Sequence, residues 1–324
     1  MASPRQLGIG ERAIDFVRPG ASGAPERFYA HAGGRPTVLV FPGVGPDSGT
    51  AALADRLAGY ANADLHWVTA EPPSADSERR TWSDPEHTLA AAYGGDPSRP
   101  TIVVLDPNLR IVGVVAGDGI ADEVVRLLEV ASHRDVPIDV VGQAPVLLIP
   151  RVLDATHRDG LIRVWQEDGA EATGVARAGG DVLDADVKRR RDHVVRNPEL
   201  LRDLTAAVGR RIMPEIRKAF AFHATRFEGF KIACYDATSG GFFRSHRDNL
   251  TPSTARRVFA LTLNLNDDYS GGQLRFPEYG NQRYRPDAGT ALVFSCAHLH
   301  EVLDVTDGRR FVLLSFLYGE PDNA

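Results

Sequence analysis

Cysteine is scarce in this chain. Cys234 and Cys296 are its 2 cysteines among 324 residues. That excludes a small disulfide-stapled scaffold, and the apolar neighbours of both thiols predict reduced, strand-borne side chains and a cytoplasmic setting. No apolar run is long enough to span a bilayer as a helix. A charged start followed by an apolar core is also missing at the N-terminus, so neither a membrane nor a secretory signal is expected. Excess positive charge is absent too. The net charge is −6 and no stripe interleaves aromatic and basic residues, so no nucleic-acid partner is expected. What remains is an ordinary globular composition, with 43% hydrophobic and 25% charged residues, over a length that suggests two domains.

Residues 1–133 alternate strand and helix. Pro36 to Pro42 is a buried strand, Thr50 to Tyr60 a helix, Asp64 to Thr69 a strand and Asp84 to Tyr93 a helix. Arg99 to Asn108 and Arg110 to Val115 form a hairpin, and Ile120 to Val130 closes the domain as a helix. Ser132 to Gln143, rich in polar residues and Gly/Pro, reads as the linker. The second domain, 144–324, starts with Ala144 to Leu153, followed by a helix from Thr156 to Glu167 and an early strand that begins at Gly174 to Arg177. Asn197-Pro198-Glu199 then caps another helix, with proline at its first position. Leu201, Leu204, Val208, Ile212 and Ile216 follow at helical spacing. From Phe230 to Glu320, short strands and Gly-rich turns succeed one another, a pattern that indicates a sandwich or jelly roll.

The chemistry concentrates in that last stretch. His246-x-Asp248 and the distant His300 offer two imidazoles and one carboxylate, a set that holds divalent iron on one face and leaves other positions open. On a strand, residues i and i+2 point the same way, so His246 and Asp248 can reach one ion. A cation follows His300 at Arg310, with Arg309 as its competitor. Neighbouring strand residues face opposite ways, so only one can point inward. Val312, Leu314 and Phe316 continue the inward face if it is Arg310.

Taken together, Tyr235, the Gly240-Gly241 turn, His246-x-Asp248, Leu265-Asn266, Gly271-Gly272, Phe276-Pro277, the Pro286 to Gly289 turn, His300-Glu301-Val302 and Gly308-Arg309-Arg310 occur in family-like order. This stretch resembles the prolyl 4-hydroxylase type of Fe(II)/2-oxoglutarate-dependent dioxygenases. The resemblance implies a double-stranded β-helix with flanking helices, Fe(II) held by His246, Asp248 and His300, 2-oxoglutarate as co-substrate, and ascorbate as a reductant. It assigns Arg310 and Tyr235 to the far carboxylate of 2-oxoglutarate. Asn264 stands where relatives often carry tyrosine, and is a further co-substrate contact to test. The implied reaction is hydroxylation of an unactivated C–H bond on a prolyl, amino-acid or peptide-like substrate, with release of succinate and CO2. Desaturation and cyclisation use the same site. The competing reading is a non-catalytic metal-binding sensor or protein-interaction module that keeps the frame.

The first domain resembles the peroxiredoxin and thioredoxin-like fold, with Gly10 to Phe16 as its entry strand and Arg99-Pro100-Thr101 at the family's cis-proline position. No cysteine follows Phe41-Pro42 in Gly43 to Gly49, where a peroxiredoxin would place its reactive thiol. Thiol chemistry needs a thiolate, so the expectation is a structural or interaction module that could shape the substrate entrance or mediate homodimerisation. Other residues invite bland readings. His298 reads as a loop histidine at the mouth, and Lys188 to Arg191 as a solvated helix face that borders the entrance. Arg275 is an inward substrate contact if its strand register allows. Purified protein is expected to show no thiol-dependent peroxidase activity. Peroxide consumption coupled to a thiol reductant and insensitive to iron chelation would overturn the inactive-redoxin reading.

Overall fold

A computed structural model describes residues 5–20, 23–43, 53, 56–57, 62–72, 80–117, 120–132, 139–177 and 180–321. The chain divides into two compact units, Met1–Pro137 and Ile138–Ala324. No helix among the described residues is long and apolar enough to cross a membrane.

The first unit is built on five strands: β1 (Thr37–Phe41), β2 (Asp64–Thr69), β3 (Arg80–Ser83), β4 (Thr101–Leu105) and β5 (Ile111–Ala116). They lie in the order β3-β2-β1-β4-β5. The β1–β2 and β2–β3 pairs are parallel, while β4 runs antiparallel to β1 and β5 to β4. Both faces of β1 and β4 are buried, which is why these strands are apolar at every position apart from the threonines that open them. Val38, Val40, Ile102 and Val104 meet helix α2 (Ile120–Ala131), while Leu39, Phe41, Val103 and Leu105 pack with Phe28 and Trp82. Helix α1 (Thr88–Ala92) is shorter than the Asp84 to Tyr93 pattern suggests. Asp84 turns the chain instead, its carboxylate accepting from the amides of Thr88, Leu89 and Ala90 at 2.9–3.2 Å. The expected cis-proline is not found: no peptide bond is cis among the described residues, Arg99–Pro100 included. The Thr50 to Tyr60 helix lies largely outside the described residues.

The second unit is mostly antiparallel β-structure. Its larger sheet contains β6 (Leu147–Ile149), β7 (Glu171–Ala172), β9 (Arg191–Val194), β10 (Phe222–Phe227), β11 (Lys231–Asp236), β13 (Phe259–Asn264), β14 (Tyr269–Gly271), β17 (Ala291–Ser295) and β19 (Val305–Pro321). The path runs β6-β17-β13-β19-β11-β9-β7, with β10 and β14 also pairing with β19. The smaller sheet contains β8 (Lys188–Arg189), β12 (Phe242–His246), β15 (Leu274–Arg275), β16 (Arg283–Tyr284) and β18 (His300–Val302), in the order β8-β12-β18-β15-β16.

Alternation along the strands sorts two cores. Ile232, Cys234, Leu261, Leu263, Phe311 and Leu313 face a helical layer. That layer is α3 (Ala155–Glu167), α4 (Pro198–Arg211) and α5 (Met213–Phe220). Ala233, Tyr235, Ala260 and Val312 face the other way and share a core with Leu274, Phe276 and Val302 around the smaller sheet. The long periodic run from Leu201 to Ile216 is broken at Ile212, because Pro214 lacks an amide proton and starts a new helix. Asn197 caps α4, its side-chain oxygen accepting from the amides of Glu199 and Leu200 at 2.9 and 3.1 Å. Asn197→Ala is expected to cost about 1 kcal/mol, read as a lowered denaturant midpoint at unchanged slope.

Candidate active site

The site begins with one strand pair. β12 and β18 run antiparallel, and the register sets His246 opposite His300. Asp248 lies two residues beyond the end of β12, where its amide donates to the Cys296 carbonyl at 3.0 Å. The ligand atoms of His246, Asp248 and His300 all lie within 4.8 Å of one another. Asp248 Oδ1 is 3.5 Å from His246 Nε2, and Oδ2 is 3.3 Å from His300 Nε2.

Backbone carbonyls fix both imidazoles. His246 Nδ1 is 2.8 Å from the Arg244 carbonyl, and His300 Nδ1 is 3.0 Å from that of His298. A carbonyl only accepts, so each Nδ1 carries a proton and each Nε2 is the atom turned toward the carboxylate and available to a metal. The Phe243 ring stacks on His246 at 3.5 Å between centroids, and Phe294 meets His300 edge-on at 4.6 Å. Burial lowers the His300 pKa to about 4, which keeps the ring neutral. Two imidazoles and one carboxylate are the donor set that suits divalent iron.

A second polar group shares the cavity. Arg310 is buried, and its Nη2 donates to Asn264 Oδ1 at 3.1 Å. The Asn264 amide is oriented by donating to the Tyr269 hydroxyl at 3.0 Å and the Pro286 carbonyl at 2.6 Å. Arg310 Nε is buried without a hydrogen-bond partner. An unmet guanidinium donor inside a protein is costly, and an incoming carboxylate would satisfy it. Gly272 makes room for this side chain. At φ +67°, a Cβ there would sit 3.0 Å from Arg310 Cδ and 2.9 Å from Val305. Arg310, Tyr235 and the His246–Asp248–His300 group line one cavity of about 270 Å³.

The structure thus brings together His246, Asp248, His300, Tyr235 and Arg310. Asn264 does not line that cavity; it stands behind Arg310 and holds it. Arg309 is exposed, its guanidinium over the Phe311 ring. Arg275 is not a cavity residue, for its Nε donates to Glu301 Oε1 at 2.6 Å. His298 contacts the Tyr279 hydroxyl at 3.1 Å and stands outside the ligand group. The cationic run is no helix. Lys188–Arg189 and Arg191–Val194 are strands, and Arg190 between them lines the cavity. Arg190 was hidden by its neighbours, since identical residue types on both sides conceal an inward position. Arg257, which donates to the Asp248 carbonyl at 3.3 Å and to Glu228, carried no sequence signal either.

Residues 230–318 match the family model described as the 2OG-Fe(II) oxygenase superfamily. The second unit therefore contains a 2OG-Fe(II) oxygenase domain, of a superfamily that uses Fe(II) and 2-oxoglutarate. Similar proteins include a PKHD-type hydroxylase of Prochlorococcus marinus (strain MIT 9215), 27% identical over 130 residues, covering 38% of this chain and 56% of that protein. Another, from Pseudomonas fluorescens (strain Pf-5), is 36% identical over 89 residues, covering 25% and 38%. The chain thus spans about half the length, or less, of the curated relatives it matches. Among solved structures, a Pseudomonas putida prolyl-4-hydroxylase aligns with 22% identity and a TM-score of 0.44, covering 54% of this chain and 93% of that one.

The Asn264–Arg310 contact generates a prediction. Asn264→Ala is expected to weaken 2-oxoglutarate binding by about tenfold, the worth of one charge-assisted hydrogen bond, while Fe(II) affinity is kept. Co-substrate and metal titrations check it.

Proposed function

We propose that this protein is an Fe(II)- and 2-oxoglutarate-dependent dioxygenase that hydroxylates an unactivated C–H bond of a prolyl or amino-acid/peptide-like substrate. The observation that carries the reading is the shared cavity. The two-histidine, one-carboxylate set and the Arg310 side chain line the same space. In this reading His246, Asp248 and His300 hold Fe(II), which with 2-oxoglutarate and dioxygen supplies the oxidation, one oxygen entering succinate and the other the substrate as CO2 leaves.

The chain's own residues do the rest. The carbonyls of Arg244 and His298 keep both Nε2 lone pairs free for the metal. Arg310 meets the far carboxylate of 2-oxoglutarate through a planar fork, and the Tyr235 hydroxyl adds a donor. Phe243, Leu274, Phe294, Val302 and Phe316 wall the cavity with apolar surface, which suits a C–H bond and excludes water.

The first unit, about residues 1–133, is proposed to be a redoxin-like domain without thiol activity. Support comes from the order β3-β2-β1-β4-β5, with a parallel half followed by an antiparallel hairpin. Its proposed roles are substrate access or homodimerisation. A cytoplasmic setting is proposed with it, supported by Cys234 and Cys296 being buried free thiols. Ascorbate is the proposed reductant that keeps the iron divalent.

The test is succinate formation from 2-oxoglutarate with Fe(II) and oxygen, coupled to a mass-spectrometric screen for substrates that gain one oxygen. His246→Ala and His300→Ala are each expected to abolish turnover; full activity in both would sink the assignment, and a wild-type protein that makes no succinate with any substrate favours the non-catalytic reading. Arg310→Ala is expected to raise the 2-oxoglutarate requirement roughly a hundredfold, for a loss of about 3 kcal/mol, with metal binding intact. Arg310→Lys is expected to be milder. A defect in Arg309→Ala and none in Arg310→Ala would reverse the inward face of β19.

A further inference from the structure

Two guanidinium groups flank Tyr235. The Arg310 Cζ lies 5.5 Å from the centre of its ring, and the Arg190 Cζ lies 5.6 Å from it. They differ in how their charge is spent. Among the described residues Arg310 has no carboxylate partner, and its Nε has no hydrogen-bond partner. Arg190 grips Asp192 with two hydrogen bonds, Nε to Oδ1 at 2.6 Å and Nη2 to Oδ2 at 2.8 Å. The Asp192 side chain is fully buried and that of Arg190 nearly so. Asp192 also accepts from Thr173 Oγ1 at 2.6 Å, and that hydroxyl accepts from Lys188 Nζ at 2.6 Å. The pair is thus fixed on the Asp192 side, at the point where the chain leaves β8 in one sheet and enters β9 in the other.

The remaining Arg190 bond is the informative one. Its Nη1 donates to the Tyr235 hydroxyl oxygen at 3.1 Å. Arginine has no acceptor, so the phenol proton cannot return that bond. With one lone pair engaged, the hydroxyl can only turn its proton elsewhere, and Tyr235 lines the cavity that also holds Arg310. Accepting a hydrogen bond from the guanidinium polarises the phenol and strengthens its O–H as a donor. Asp192 neutralises Arg190, which leaves it unsuited to be the counter-ion of an incoming anion.

We propose that Arg190, locked by Asp192, is a positioning residue that orients the Tyr235 hydroxyl as a hydrogen-bond donor to the far carboxylate of 2-oxoglutarate. The proposal rests on the co-substrate reading above and adds a residue that acts through Tyr235.

The experiment is a double-mutant cycle on 2-oxoglutarate affinity. Binding is measured calorimetrically on the full chain loaded with Fe(II) under anaerobic conditions, with 2-oxobutyrate, which lacks the far carboxylate, as control ligand. Arg190→Met and Tyr235→Phe are each expected to weaken 2-oxoglutarate binding about tenfold. The double variant is expected to be no weaker than either single one, and 2-oxobutyrate binding is expected to be unchanged throughout. Arg190→Met leaves Asp192 buried and unpaired, so Arg190→Met/Asp192→Asn is run in parallel and is expected to show the same non-additivity. Additive losses in the double variant, or equal losses for 2-oxobutyrate, would show a structural role and overturn the proposal. Normal 2-oxoglutarate affinity in Arg310→Ala would instead sink the co-substrate reading beneath it. A loss in Arg310→Ala with none in Tyr235→Phe would overturn the Arg190 inference alone.

Discussion

The second unit is organised around one electrostatic constraint. A carboxylate and two imidazoles must sit within 4.8 Å of one another in a cavity walled largely by apolar side chains. Left to themselves, such groups would protonate, rotate or separate. The fold prevents each outcome with backbone. Cross-strand register puts His246 opposite His300. Carbonyls of Arg244 and His298 take the Nδ1 protons. The Cys296 carbonyl tethers the amide of Asp248. None of these contacts uses a side chain that could itself become a ligand. The aromatic rings of Phe243, stacked on His246, and Phe294, edge-on to His300, complete the restraint.

The larger sheet solves a different problem, the burial of an arginine. Arg310 lies on the cavity face of β19, while Phe311 and Leu313 point into the helical core. Moving the strand by one residue would place Arg309 inside and expel that apolar set. Apolar packing against α3, α4 and α5 therefore fixes which arginine is interior. The register also aligns Tyr235 with Arg310 across the β11–β19 pair. Hydrophobic burial on one face thus positions charge on the other.

Much of this was legible in residue order. The metal-type group could be read because its residue types are rare in combination and its spacing fits strands. The inward position of Arg310 followed from alternation with Val312, Leu314 and Phe316, and the cap on α4 from Asn197-Pro198. What resisted reading has physical causes. Lys188-Arg189-Arg190-Arg191 has a period of two in burial, with Lys188 and Arg190 inward and Arg189 and Arg191 exposed. Its residue types carry no such period, so a buried arginine pair partner looked like a solvated charge run. Arg275 was inward only if its register allowed, and Glu301 opposite it on the neighbouring strand pairs with it away from the cavity. Asn264 sat on the right strand, but its role is set by Tyr269 across the following turn and by the Pro286 carbonyl 22 residues on, contacts that strand alternation does not encode.

Charge balance ties these pieces together. A divalent ion at the His246–Asp248–His300 group would have its charge met in part by Asp248. A dianionic co-substrate would complete that balance at its near end, and its far carboxylate would face Arg310. If Arg190 entered the cavity as a second uncompensated cation, that balance would be lost, and a buried charge without a partner is strongly destabilising. Asp192 removes the difficulty by cancelling Arg190 on the side away from the Tyr235 hydroxyl. The guanidinium then contributes direction without net charge. Of the two guanidinium groups, one is already paired with a carboxylate, and the charge of the other would be met by the co-substrate's far end.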